Sequence, residues 1–153
     1  MVVALGFDNL VFSQFVCYSI LLILETIGIA LLVIRIRVKR KVFSFPEDCS
    51  QFIVGKHHLK PTADDAQIKR LRRCHLNNLE NIVPFVTIGL FYVLTEPDPW
   101  TAALCFRSFL VTRIVHNIAL IQALPQPTRT FSYLAGVIIL CFMSLSVFQR
   151  GKM

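Results

Sequence analysis

Arg70, Arg73, Asn77 and Glu80 recur at intervals of three and four residues, which stacks their side chains along one face of an α-helix. Arg113 and His116 share a face in the same way, and Arg129 is followed closely by Thr130 and Tyr133. Adding Arg37 gives five arginines at one level, with Glu80 and Asp48 as the acids that can balance them. A guanidinium meets a carboxylate through two parallel hydrogen bonds, and a carboxylate can take an ammonium. The set is short of negative charge and fits an anionic ligand carrying two carboxylates and one ammonium group. Lys69 and Arg72 fit a different role, snorkelling to anionic headgroups, and Arg107, nearer the opposite end, reads as structural.

The elements that must hold these residues are apolar. The chain has 153 residues, 55% of them hydrophobic, and a mean hydropathy of +0.63, well above a soluble domain of this size. About 20 apolar residues rising about 1.5 Å each cross a hydrocarbon core roughly 30 Å thick. Leu10 to Ile34 meets that length with one acid, Glu25, and Thr130 to Phe148 carries no formal charge. A third run, Trp100 to Gln122, is apolar but holds Arg107, Arg113 and His116. Between them, Ala66 to Thr95 keeps a helical period whose first half is basic and whose second half is apolar, with Pro84 as a candidate kink. These patterns predict an all-α membrane protein: one domain over 1–153, a four-transmembrane-helix bundle with helices near 10–36, 66–95, 99–122 and 128–149. A polar loop, 37–65, joins the first two helices.

Eleven of the sixteen Lys and Arg fall between Arg35 and Arg73, so the positive-inside rule places that segment in the cytosol and the candidate site in the cytosolic half of the bundle. That clustering explains the formal charge of +7 better than nucleic-acid binding does. No Lys or Arg precedes the first span and no small-residue cleavage signature follows it, so it is expected to remain in the mature protein. Cys17, Cys49, Cys74, Cys105 and Cys141 form no CxxC pair, and neither His57-His58 nor Cys74-His75 has the further ligands of a closed tetrahedral site. No disulfide framework and no metal are expected.

The segments RKVFSFPEDC (Arg40 to Cys49) and RLRRCHLNNLENIVPF (Arg70 to Phe85) resemble the MAPEG family, membrane-associated proteins in eicosanoid and glutathione metabolism. The likeness continues in order through PDP (Pro97 to Pro99), FRSFLVTRIVHNIA (Phe106 to Ala119) and LPQPTR (Leu124 to Arg129), and so covers most of the chain. The PEDC and LPQPTR wording is similar to the family's glutathione transferases, and Leu76 stands where its prostaglandin E synthases carry arginine. The resemblance implies a homotrimer with glutathione as co-substrate between neighbouring subunits. It also implies endoplasmic-reticulum membranes, with the mitochondrial outer membrane as a second location, and a site open to the cytosol. By position it implies glutathione contacts from Arg37, Arg73, Asn77, Glu80, Arg113, His116, Arg129, Thr130 and Tyr133, with Arg129 the catalytic residue nearest the sulfur. Cys49 resembles a cysteine whose modification regulates turnover.

The activity so implied is conjugation of the glutathione thiolate to hydrophobic electrophiles, with peroxidase action on lipid hydroperoxides beside it. Glutathione-dependent prostaglandin E synthesis and a non-catalytic lipid-binding role stay open. Three positions depart from the family pattern. Leu120 replaces a tyrosine, Glu25 a lysine and Asn78 an aspartate, and a contact between helices one and two is expected to survive as a hydrogen bond.

Overall fold

The computed structural model describes residues 5–51, 62 and 65–151, which form five helices: α1 (Leu10–Arg40), α2 (Pro46–Gln51), α3 (Ala66–Leu94), α4 (Pro99–Ile121) and α5 (Gln126–Arg150). Each long helix begins where a short polar or proline residue meets the apolar period. The Asn9 side chain accepts from the Val11 and Phe12 N–H groups, and Asp65 does the same for Gln67 and Ile68 at 2.9 Å. Asp98 accepts from Thr101 N–H at 2.9 Å with Pro99 in the first turn of α4, and α5 begins after Pro125 with Pro127 in its own first turn.

α1 ends at Lys41, whose φ of 55° is left-handed, with the Val42 N–H reaching back to the Arg37 carbonyl. α4 stops in the same way at Ala123, φ 57°, with the Leu124 N–H on the Ala119 carbonyl.

Two boundaries correct the sequence expectation. α1 runs on to Arg40, so Arg37 sits in its last helical turn, because Arg and Lys are good helix formers that also suit the negative end of the helix dipole. The loop 37–65 contains the short helix α2, begun by Pro46, Glu47 and Asp48. The part of that loop holding Gly55, His57, His58 and Pro61 lies outside the described residues. α3 stays helical through Pro84, as proline allows inside a bundle.

α1 packs on α3 and α4, and α5 packs on α4 and α3; α3 and α4 meet across the diagonal, and among the described residues the backbones of α1 and α5 stay apart. One ion pair, Arg40 to Asp65 at 2.8 Å, ties the end of α1 to the cap of α3. One half of the bundle is filled by Phe15, Phe85, Tyr92, Phe106, Phe109 and Met143. Phe85 and Phe109 stack at 4.4 Å, and Phe106 meets Phe85 edge-on at 6.0 Å.

Outward faces are apolar as well. Ile138, Leu145 and Phe148 on α5 are each more than half exposed. α1, α4 and α5 are long and apolar enough to cross a membrane; α3 is not among them, because its polar first half, down to Asn77, Asn78, Glu80 and Asn81, leaves the apolar stretch short.

Candidate functional site

α3, α4 and the first turns of α5 line an open-sided cavity of about 420 Å³. Its wall is made by Arg73, Asn77 and Glu80 from α3, His116 and Leu120 from α4, and Gln126, Arg129, Thr130 and Tyr133 from α5. The three-and-four spacing on α3 does what it must: three residues project into one space.

His116 fixes the opposite wall. Its Nδ1 lies 3.0 Å from the Arg129 carbonyl and 3.2 Å from Ser132 Oγ. A carbonyl oxygen can only accept, so Nδ1 carries the proton, and α4 thereby holds the backbone of the turn that presents Arg129. The Ser132 hydroxyl completes the turn by donating to the Thr128 carbonyl at 2.9 Å.

Two buried polar atoms on the cavity wall, Asn77 Oδ1 and Arg129 Nε, have no hydrogen-bond partner among the described residues. Buried polar groups are normally paired, so this acceptor and this donor are available to a ligand. The same space offers a carboxylate, Glu80, and guanidinium groups from two helices. It can therefore take a ligand with both charge signs and a net negative charge.

Arg113 and Arg37 lie elsewhere. Arg113 is fully buried behind the cavity wall rather than on it, with Nη2 donating to the Ser132 carbonyl at 3.1 Å and its guanidinium 5.5 Å from the Phe109 ring and 5.9 Å from the Tyr133 ring. Gly136 makes that position possible, since a Cβ there would stand 2.6 Å from Arg113 Nη2. Arg37 lines a second cavity of about 390 Å³ with Val33, Ser44, Phe45, Arg72, His75 and Leu76. The separation is geometric: α1 does not reach α5, so its end opens beside a different face of α3.

Glu25 and Asn78 do not meet. Asn78 donates to Thr26 Oγ1 at 3.3 Å, keeping a hydrogen bond between α1 and α3, while Glu25 turns to α4 and accepts from Asn117 at 2.8 Å. Cys49 is buried within α2, and Arg107 donates to the Tyr18 hydroxyl at 3.3 Å, the structural role its position suggested. Sequence reasoning missed Gln126, Ser132 and Asn117. Asn117 left a signal, an amide inside an apolar run next to His116; the other two left none beyond polarity.

A model of the MAPEG family matches residues 15–149, and the chain belongs to that family. It is a multi-pass membrane protein. The chain is similar to microsomal glutathione S-transferase 1 of Homo sapiens, 43% identical over 129 residues that cover 84% of this chain and 83% of the relative. The Sus scrofa protein of that name is 44% identical over 128 residues, 84% and 83% of the two chains. Prostaglandin E synthase of Equus caballus is 32% identical over 133 residues, 87% and 84% of the two.

Proposed function

We propose that the protein is a glutathione transferase that joins the glutathione thiolate to hydrophobic electrophiles dissolved in the bilayer. One observation carries this reading: seven residues of the sequence-derived ligand set, Arg73, Asn77, Glu80, His116, Arg129, Thr130 and Tyr133, line one cavity. The two relatives at 43% and 44% identity are named for the same chemistry. In this reading α3 is a fourth span whose basic half lies at the cytosolic surface, the site opens to the cytosol, and the membrane is that of the endoplasmic reticulum or the mitochondrial outer membrane.

Glutathione has two carboxylates and one ammonium group. Arg73 and Arg129 take carboxylate and thiolate charge, and Glu80 takes the ammonium. A thiol with a pKa of about 8.5 is only a few per cent ionised at neutral pH, and the thiolate is the nucleophile. A guanidinium beside the sulfur, in a site of low dielectric, lowers that pKa by one to two units, worth about 1.4 to 2.7 kcal/mol.

Arg129 supplies it, with its backbone held by His116. The thiolate forms a C–S bond as the leaving group departs with its electron pair. With a lipid hydroperoxide, two glutathiones give the disulfide, an alcohol and water. Arg37 joins the site in the homotrimer that the resemblance implies, where a second copy of the chain sets its second cavity against the first.

Calorimetry on the detergent-solubilised protein is expected to show glutathione uptake, and turnover is expected with a chloronitrobenzene. Absence of uptake would leave only the membrane architecture standing. Glutathione-dependent prostaglandin E synthesis has the 32% identical horse relative in its favour, and product analysis with prostaglandin H separates the two. Uptake of lipid without turnover of either substrate would instead make the chain a lipid-binding member. Alkylating Cys49 is expected to alter turnover, and an unchanged rate after maleimide treatment marks an inert thiol.

A further inference from the structure

Behind the cavity, polar side chains of three helices meet inside the bundle: Glu25 on α1, Cys74 on α3, and Arg113 and Asn117 on α4. Asn117 is 3% exposed and uses its amide at both ends. Its Oδ1 accepts from the Cys74 thiol at 3.1 Å, and its Nδ2 donates to Glu25 Oε1 at 2.8 Å. A carboxylate only accepts, so the amide has one orientation here. The second oxygen, Glu25 Oε2, is buried without a hydrogen-bond partner, and so are Nε and Nη1 of the fully buried Arg113.

Glu25 and Arg113 make no direct ion pair, but Asn117, which holds Glu25, lies one helical turn after Arg113 on α4, and both charged groups keep buried atoms that no neighbour satisfies. A buried charge without compensation is costly, and intramembrane ionisable groups pair with one another. Arg113 in turn holds the Ser132 carbonyl, in the turn between Arg129 and Tyr133, and its guanidinium stands 5.9 Å from the Tyr133 ring on the cavity wall.

We propose that Glu25 is a positioning residue for the site: it is the intramembrane counter-charge of Arg113, oriented by Asn117, and it weakens the positive field that the cavity offers an anionic ligand. The pairing stands on the geometry alone; the effect on the ligand rests on the glutathione reading. The sign of that effect follows from electroneutrality. With Glu25 neutral, Arg113 has no counter-charge until an anion enters the neighbouring cavity. The empty protein is then less stable, and the anion is held more tightly. A pure packing role gives the opposite sign, a looser bundle and weaker binding.

The test uses the full chain in one detergent, as wild type, Glu25→Gln, Arg113→Gln and the double variant. Gln keeps an acceptor for Asn117 and removes only the charge. Without ligand, each single variant is expected to melt below wild type, and the double variant above Arg113→Gln. A double variant that loses the sum of the two single losses overturns the pairing, whatever ligand the protein takes. Should Arg113→Gln fold only together with Glu25→Gln, the pairing is supported. Should neither fold while Glu25→Gln alone does, it is overturned.

Calorimetry with glutathione then reads the field: Glu25→Gln is expected to bind about threefold tighter or more, the scale of one charge removed across a screened interior. Equal or weaker binding overturns the field effect. No uptake by wild type defeats the glutathione reading and leaves the melting result to decide the pairing.

Discussion

The two halves of the bundle use the same helices in opposite ways. In one, Phe15, Phe85, Phe106 and Phe109 interlock, and Gly89 lets the Phe15 ring close on α3, where a Cβ would stand 2.6 Å away. In the other, Gly136 makes the same concession to the Arg113 guanidinium, also at 2.6 Å. The first half needs only shape. The second needs direction, because Asn117, His116, Ser132 and Arg113 each have a donor or acceptor that must find its partner. Apolar packing in a membrane gains little from burial itself and depends on dispersion and fit, whereas a polar group left unmatched there is expensive. Stability therefore concentrates in the aromatic half and ligand chemistry in the polar half.

The comparison can be broken most forcefully at Phe85. Phe85→Ala opens a cavity among three other rings and is expected to cost about 3 to 5 kcal/mol of stability, measured by unfolding in mixed detergent, with glutathione affinity unchanged well below the melting temperature. A matching loss of affinity would show that the halves are not separate.

Next is Arg129→Ala: on the proposed reading the glutathione thiol returns from a pKa of about 6.5 to about 8.5, the thiolate share at neutral pH falls from about three quarters to a few per cent, and turnover of a chloronitrobenzene is expected to drop about 25-fold while the melting temperature stays near wild type. Full activity in that variant removes Arg129 from the chemistry.

The two glycines sharpen the contrast. Gly89→Ala meets a ring held between Phe85 at 6.2 Å and Phe106 at 5.7 Å, and overpacking of that kind costs about 1 to 3 kcal/mol with the rate per folded molecule retained. Gly136→Ala meets the far end of a flexible side chain. Because that side chain is fully buried, displacing it from the Ser132 carbonyl is expected to cost about 1.5 to 3 kcal/mol and also to weaken glutathione several-fold, the loss of binding being what Gly89→Ala lacks.

The smallest effect is expected at the membrane surface. The N–H of Ile68 first, and then Arg40, hold the Asp65 carboxyl below the usual carboxylate range. A depressed folded pKa means the contribution is present at neutral pH and lost as pH falls through that value. Asp65→Asn, which keeps a cap but not the charge, is expected to melt slightly below wild type at neutral pH, with the gap closing on acidification.

Much of this was legible in the chain. Apolar runs and helical period gave the four long helices, because hydrophobic length and period are local properties; the caps at Asn9 and Asp65 showed only in the structure. Spacing alone put Arg73, Asn77 and Glu80 on one face, and the turn after Pro125 delivered Arg129, Thr130 and Tyr133 to it.

The azimuth of one helix against another is not local, and there the tertiary structure decided. It moved Arg113 behind the wall, left Arg37 beside a different cavity, and turned Glu25 away from Asn78 towards Asn117. A period of 3.6 residues states which side chains share a face, but not which neighbour that face will meet. That choice is made when buried donors and acceptors on several helices, such as Asn117, Glu25, Arg113 and Ser132, find partners together.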